Sequence, residues 1–174
     1  QDFKELGLIE KTEGPTPWVS PVVVVPKKEG KVRVCIDMRQ VNKATKRERQ
    51  VTPTISEMIN DLNGAKIFRK LDLNQSYNQL ELDQESRYLT TFSTHMGLRR
   101  FRQLNFGVNC AAKIFQNAIQ EAFSGLKGVL NISDDILVFG TDEVDHDANL
   151  EAALQRIRDC GLTLNKEKCV FRKR

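Results

Sequence analysis

Residues 129–140 read VLNISDDILVFG, two short apolar runs (Val129–Ile132 and Ile136–Phe139) separated by Ser133, Asp134 and Asp135. Runs of this length and composition are strand signals, and the polar residues between them predict a tight hairpin turn. A plain turn is one reading of that aspartate pair. The other starts from repulsion: two adjacent carboxylates at the tip of a buried hairpin repel each other unless a cation lies between them. Working outward, residues 66–73 (KIFRKLDL) form a further strand-like run that leads into Asp72. If the two strand ends are neighbours in one sheet, three carboxylates converge. Three oxygen donors without His or Cys suit a hard cation, Mg²⁺ or Mn²⁺. Two such ions roughly 3.5–4 Å apart make an in-line phosphoryl-transfer site.

Farther out, VVVV (22–25) and VRVCI (32–36) flank Lys27-Lys28-Glu29-Gly30-Lys31, which predicts a hairpin with a basic tip. Pro15, Pro17, Pro21 and Pro26 make its first strand an edge strand. Thr54–Leu62 predicts a helix, with Thr54 and Glu57 as a capping box and Asn63-Gly64 as its stop. Residues 88–94 and 99–104 predict a second hairpin around His95–Leu98. Ile114, Phe115, Ala118, Ile119, Ala122 and Phe123 recur with helical period over 111–123. A last helix spans about 143–160, with acids at its start, Arg156 and Arg158 near its end, and Gly161 beyond. Hairpins mixed with helices, and no regular strand–helix alternation, give an α+β class.

The chain has 174 residues, enough for one domain with its own core. No apolar run is long enough to span a bilayer. The N-terminal QDFKELGLIEK lacks the basic-then-apolar order of a secretion leader, so an intracellular location, cytoplasmic or nuclear, and no membrane partner are expected. The four cysteines show no CxxC spacing, which disfavours zinc and suits free thiols. Formal charge is +4, unevenly spread: residues 22–50 hold nine basic and three acidic side chains, residues 127–174 eight and nine. A basic end joined to an acidic one suits a polyanion held near a carboxylate site, with a solvated charged surface as the alternative.

Four blocks in order, SPVVVVPKKEGKVRVCIDMRQVNK (20–43), NGAKIFRKLDLNQSYNQLEL (63–82), TTFSTHMGLRRFRQLNFGVNCAAKIFQ (90–116) and NISDDILVFG (131–140), resemble the reverse transcriptase domain of gypsy-like LTR retrotransposon polyproteins. The resemblance covers nearly the whole chain. It implies a right-hand polymerase fold with fingers (about 1–65 and 84–104) and palm (about 66–83 and 105–174), the palm an antiparallel sheet backed by helices. The thumb, connection and ribonuclease H regions would lie outside residues 1–174, and with integrase they would belong to a longer polyprotein.

The function implied is RNA-directed and DNA-directed DNA polymerase, a dNTP nucleotide joining a primer 3′-hydroxyl under two Mg²⁺ or Mn²⁺ ions. The alternative is a catalytically inactive, nucleic-acid-binding remnant. By resemblance Asp72, Asp134 and Asp135 are the catalytic metal-binding triad, with Asp72 and Asp134 the surer ligands. Lys28 (or its neighbour Lys27) and Arg33 would hold the triphosphate. Tyr77 would lie under the incoming sugar and clash with a 2′-hydroxyl, while Phe106 and Gly107 would line the nucleotide pocket. Lys168, or Lys166, would protonate the leaving pyrophosphate. Gln116 would hold structure or template. Ile132, where the family usually has Tyr, would meet the primer or template through an apolar contact. Asp37, Arg39 and Asn42 also match the family and are read as structural.

Overall fold

The structure, a computed structural model, describes residues 7–26, 32–45, 62–132 and 135–173, without the side chains of residues 32–34 and 171–173. The helix expected over Thr54–Leu62 and the basic tip with Lys27 and Lys28 lie outside the described residues, apart from Leu62. Internal packing divides the chain into two units, residues 1–47 with 77–111 and residues 48–76 with 112–174.

In the second unit, β-branched and apolar residues at alternate positions build a four-stranded antiparallel sheet. Its strands are β4 (Ile67–Asp72), β7 (Val129–Ile132), β8 (Asp135–Gly140) and β9 (Val170–Lys173), in the order β7-β8-β4-β9. Along β8, Ile136, Val138 and Gly140 are buried while Asp135, Leu137 and Phe139 are half-exposed. Register extends this alternation to β4, where Leu71 faces Ile136 and is buried with it. That buried face is covered by helix α4 (Glu143–Asp159), whose His146, Ala153 and Ile157 are buried. Helix α3 (Ala111–Ala122) is tied to β7 by Asn131, whose Nδ2 donates to the Gln116 carbonyl at 3.2 Å. The opposite sheet face, carrying Phe68, Lys70 and Asp72 opposite Phe139, Leu137 and Asp135, is half-open.

In the first unit, β1 (Ile9–Lys11), β5 (Phe92–Thr94) and β6 (Gly97–Phe101) form a sheet in the order β1-β6-β5. Strands β2 (Val22–Pro26) and β3 (Val32–Ile36) pair as the expected antiparallel hairpin, followed by the short helix α1 (Arg39–Ala44). The strand expected over 88–94 is corrected: Tyr88 and Leu89 close a helix, α2 (Gln84–Leu89), and only Phe92–Thr94 are extended. Asp83 starts that helix by accepting from the Ser86 N–H at 2.8 Å. The second strand begins at Gly97, whose φ of 97° suits the turn, and ends at Phe101, not at 104. Arg87, only 8% exposed, is paid for by two carboxylates, Glu81 at 2.6 Å and Glu10 at 3.3 Å. Glu10 also takes Arg100 at 2.6 Å, and the Arg100 guanidinium lies 4.4 Å from the Tyr88 ring centroid.

Candidate active site

Asp72 and Asp135 are direct partners across the β4–β8 ladder, so both side chains leave the sheet on its half-open face. Asp135 is also the partner of Ile132, the last residue of β7. The strand β8 therefore starts at Asp135, one residue earlier than the apolar pattern alone indicates. Ser133 and Asp134, between them in sequence, lie outside the described residues.

The main chain of Asp72 is fixed on its other side by the segment after α4. Its N–H donates to Cys169 Sγ at 3.4 Å, and its carbonyl accepts from the Asn165 N–H at 2.9 Å. Leu73 bridges to Leu164, and the Asn74 N–H reaches the Thr163 carbonyl at 2.9 Å. Lys168 is exposed on that same segment, in a turn closed by its N–H to the Asn165 carbonyl at 3.1 Å. Lys166 is exposed beside it.

Two residues before Asp72 and on the same face, Lys70 reaches Asp135, Nζ to Oδ2 at 2.7 Å. That hydrogen bond, helped by the charges of Asp135 and Asp72, holds the Lys70 ammonium above its ordinary pKa. Lys70 was not singled out from the sequence, although strict alternation from Asp72 puts it on the same face. Cys169 and Asn165 were also missed, because their approach to Asp72 is long-range.

The donor chemistry fits a hard cation: facing carboxylates, and an ammonium already drawn to them. Among the described residues no cluster of three or more His, Cys, Asp or Glu side chains forms a metal site. Asp134 stands outside that set. Ile132 is 42% exposed at the end of β7, an apolar side chain beside the carboxylates. Gln116 contributes its carbonyl to the α3–β7 link.

The residues expected at the nucleotide lie in the first unit. Tyr77 sits in a 3₁₀ turn (Ser76–Gln79), and the chain after it zips to residues 102–104. Leu82 N–H meets the Arg102 carbonyl and Leu104 N–H the Leu80 carbonyl, both at 2.8 Å, with Glu81 bridging to Gln103. This ladder brings Tyr77 against Phe106, with ring centroids 4.6 Å apart and planes tilted by 48°. Phe106 remains 54% exposed. Gly107 follows at φ +107°, a conformation that L side chains rarely adopt, and a Cβ there would lie 3.5 Å from Met38 Cγ.

Asn42, on α1, clamps this loop. Its Nδ2 donates to the Gly107 carbonyl and its Oδ1 accepts from the Asn109 N–H, each at 2.8 Å. Its structural role thus falls on the loop of Phe106 and Gly107. Asp37 accepts two bonds from Arg39 Nε and one from Nη2 at 2.6 Å, which lowers its pKa to about 2. For Lys28, and for the side chain of Arg33, the structure gives no description; Arg33 is placed on β3 opposite Val25.

Comparison with known proteins meets this geometry. Residues 25–174 match the family described as reverse transcriptase (RNA-dependent DNA polymerase). The chain is 38% identical over 160 residues to the retrovirus-related Pol polyprotein from transposon 412 of Drosophila melanogaster, covering 87% of this chain and 13% of that protein. It is 33% identical over 181 residues to the corresponding polyprotein from transposon 297 of the same fly, covering 100% and 17%. The chain thus spans less than a fifth of the length of either relative. In fold it is similar to a foamy viral protease–reverse transcriptase solved in complex with double-stranded DNA, at a TM-score of 0.82 and 20% identity, over 98% of this chain and 30% of that one. On the strength of the family match over most of its length, the chain belongs to the reverse transcriptase (RNA-dependent DNA polymerase) family.

Proposed function

We propose that this chain carries out templated DNA synthesis, joining a dNTP to a primer 3′-hydroxyl on RNA or DNA templates and releasing pyrophosphate. The observation that carries the reading is the placement of Asp72 and Asp135 as facing partners on the half-open sheet face, with Asp134 adjoining in sequence. In this reading Asp72, Asp134 and Asp135 hold two Mg²⁺ or Mn²⁺ ions. Ions held there would lower the pKa of the attacking hydroxyl and offset charge on the leaving phosphate.

The chain's own residues do the positioning. Asp72 is fixed through both main-chain polar groups, so its carboxylate projects from a rigid strand end. The Tyr77 ring, braced by Phe106, excludes a 2′-hydroxyl by bulk. Gly107, lacking a side chain, lets backbone approach the nucleotide. Lys28 and Arg33 bind the triphosphate, Arg33 through its fork of donors. Lys168 gives a proton to the departing pyrophosphate, and Ile132 meets the primer or template through an apolar contact. Partners in this reading are an RNA or DNA template–primer, dNTP and the remainder of a polyprotein.

The test is primer extension on RNA and DNA templates with Mg²⁺ or Mn²⁺, offering one dNTP at a time, with primer–template binding read in the same samples. The expected result is incorporation only of the dNTP complementary to the template. Binding without incorporation under any ion supports the inactive nucleic-acid-binding remnant instead.

A further inference from the structure

We infer that Lys70 is a positioning residue of the carboxylate site, a built-in counter-cation whose charge sets how strongly Asp72 and Asp135 take up a divalent ion. This rests on the reading of those two carboxylates as ion-holding groups.

The placement follows from register. On β4, Lys70 and Asp72 project from the same face, and Asp135 stands opposite Asp72, so the lysine meets Asp135 on the diagonal. Its direct cross-strand partners are apolar on both sides, Leu137 on β8 and Val170 on β9. The aliphatic stem therefore lies in an apolar lane, and the ammonium goes to the carboxylates, 2.7 Å from Asp135 Oδ2. Both groups are partly exposed, at 43% and 33%, and an ion pair so placed contributes little to stability. Its effect falls on the site.

With Lys70 in place, Asp135 keeps one oxygen hydrogen-bonded and the other available, and the repulsion between facing carboxylates is relieved without any ion. A divalent ion entering beside Asp72 meets that positive charge. Lys70 thus weakens ion uptake while holding Asp135 in one orientation.

The test uses Mn²⁺ as probe, measuring free Mn²⁺ by electron paramagnetic resonance beside thermal melting of the same samples. Lys70→Met is expected to bind Mn²⁺ about tenfold more tightly than the parent chain and to gain more melting temperature from it. Lys70→Arg, which keeps the charge, should stay within about twofold. A merely structural lysine would shift melting without raising ion affinity. Should Lys70→Met fail to fold, Lys70→Gln removes the charge while keeping a hydrogen-bond donor, and carries the same expectation. Unchanged or weaker Mn²⁺ binding in the charge-removing variant overturns the inference. Asp72→Asn separates the two levels. If it loses Mn²⁺ while Lys70→Met matches the parent, only the role of Lys70 fails. If Asp72→Asn binds Mn²⁺ as the parent does, the ion-holding reading fails and the role of Lys70 with it.

Discussion

Tyr77 and Phe106 show how far one ring depends on another. Tyr77 is placed by a ladder to residues 102–104 and meets Phe106 at 4.6 Å between centroids. If Tyr77 lies under the incoming sugar as proposed, a smaller side chain at 77 removes the bulk that would exclude a 2′-hydroxyl. Tyr77→Val is therefore expected to raise the use of ribonucleotides relative to dNTPs by at least about tenfold, read from single-nucleotide extension, a discrimination of modest size for one steric contact. An unchanged ratio would remove Tyr77 from sugar selection.

Asp37 offers a prediction independent of activity. Its carboxyl is lowered from the ordinary 3.8 to about 2, chiefly by the side-chain bond from Arg39. A group whose folded pKa is depressed adds stability above its unfolded pKa, and that stability is lost as pH falls through the folded value. The Asp37–Arg39 contribution should thus be whole above about pH 4 and vanish toward pH 2. In Arg39→Gln the Asp37 carboxyl, followed by nuclear magnetic resonance, should titrate nearer 3.8. A midpoint unmoved by the substitution would contradict the pairing.

Among the elements, helix α4 is seated on β8 through Gly140. A Cβ at that position would collide with the main chain of His146 in the first turn of the helix. Gly140→Ala should cost about 1–3 kcal/mol, the range for overpacking a close contact, measured by denaturant unfolding. A change within about 0.5 kcal/mol would mean that the helix can lift off the strand. Loop 106–109 depends in the same way on α1, through the two 2.8 Å bonds of Asn42. Asn42→Ala leaves the Gly107 carbonyl and Asn109 N–H without those partners. It should lower stability by about 1–2 kcal/mol in the same unfolding measurement, and weaken dNTP binding more than turnover.

What could be read from the sequence at this scale follows the range of the forces involved. The β7–β8 hairpin, β4, α3 and α4 are written in local periodicity, and α4 carries its own cap in Asp142, which accepts from the Asp145 N–H at 2.9 Å. Helix α2 was missed because Thr90, Thr91 and Phe92 after it are strand formers, and its start rests on the single Asp83 cap. Strand β1 is three residues long and exists through pairing with β6, some ninety residues away, which no local pattern announces.

For the whole molecule, the facing of Asp72 with Asp135 was legible as a conditional: two apolar runs ending in acids, provided they are sheet neighbours. The ladder Asp72↔Asp135 meets the condition. The Glu10–Arg87–Arg100 network was not legible, since its members come from β1, α2 and β6 and each alone reads as a surface charge. Neither was the pinning of Asp72 by Asn165 and Cys169, which needs the chain to return beside β4 after α4. The uneven charge, nine basic against three acidic residues over 22–50, leads to a further expectation. Primer–template affinity should fall by about tenfold or more between 50 and 200 mM salt, read by fluorescence anisotropy. Affinity indifferent to salt would argue against a phosphate-binding surface.

Primer extension by the parent chain and by Asp72→Asn, at equal primer–template occupancy and with Mg²⁺ or Mn²⁺ present, is the most direct test that these carboxylates catalyse nucleotide transfer. The parent chain is expected to extend the primer and Asp72→Asn to lose at least about a hundredfold, with melting temperature and primer–template binding retained. Extension by Asp72→Asn at the parent rate, or a parent chain that binds primer–template and extends none of it, would contradict that claim.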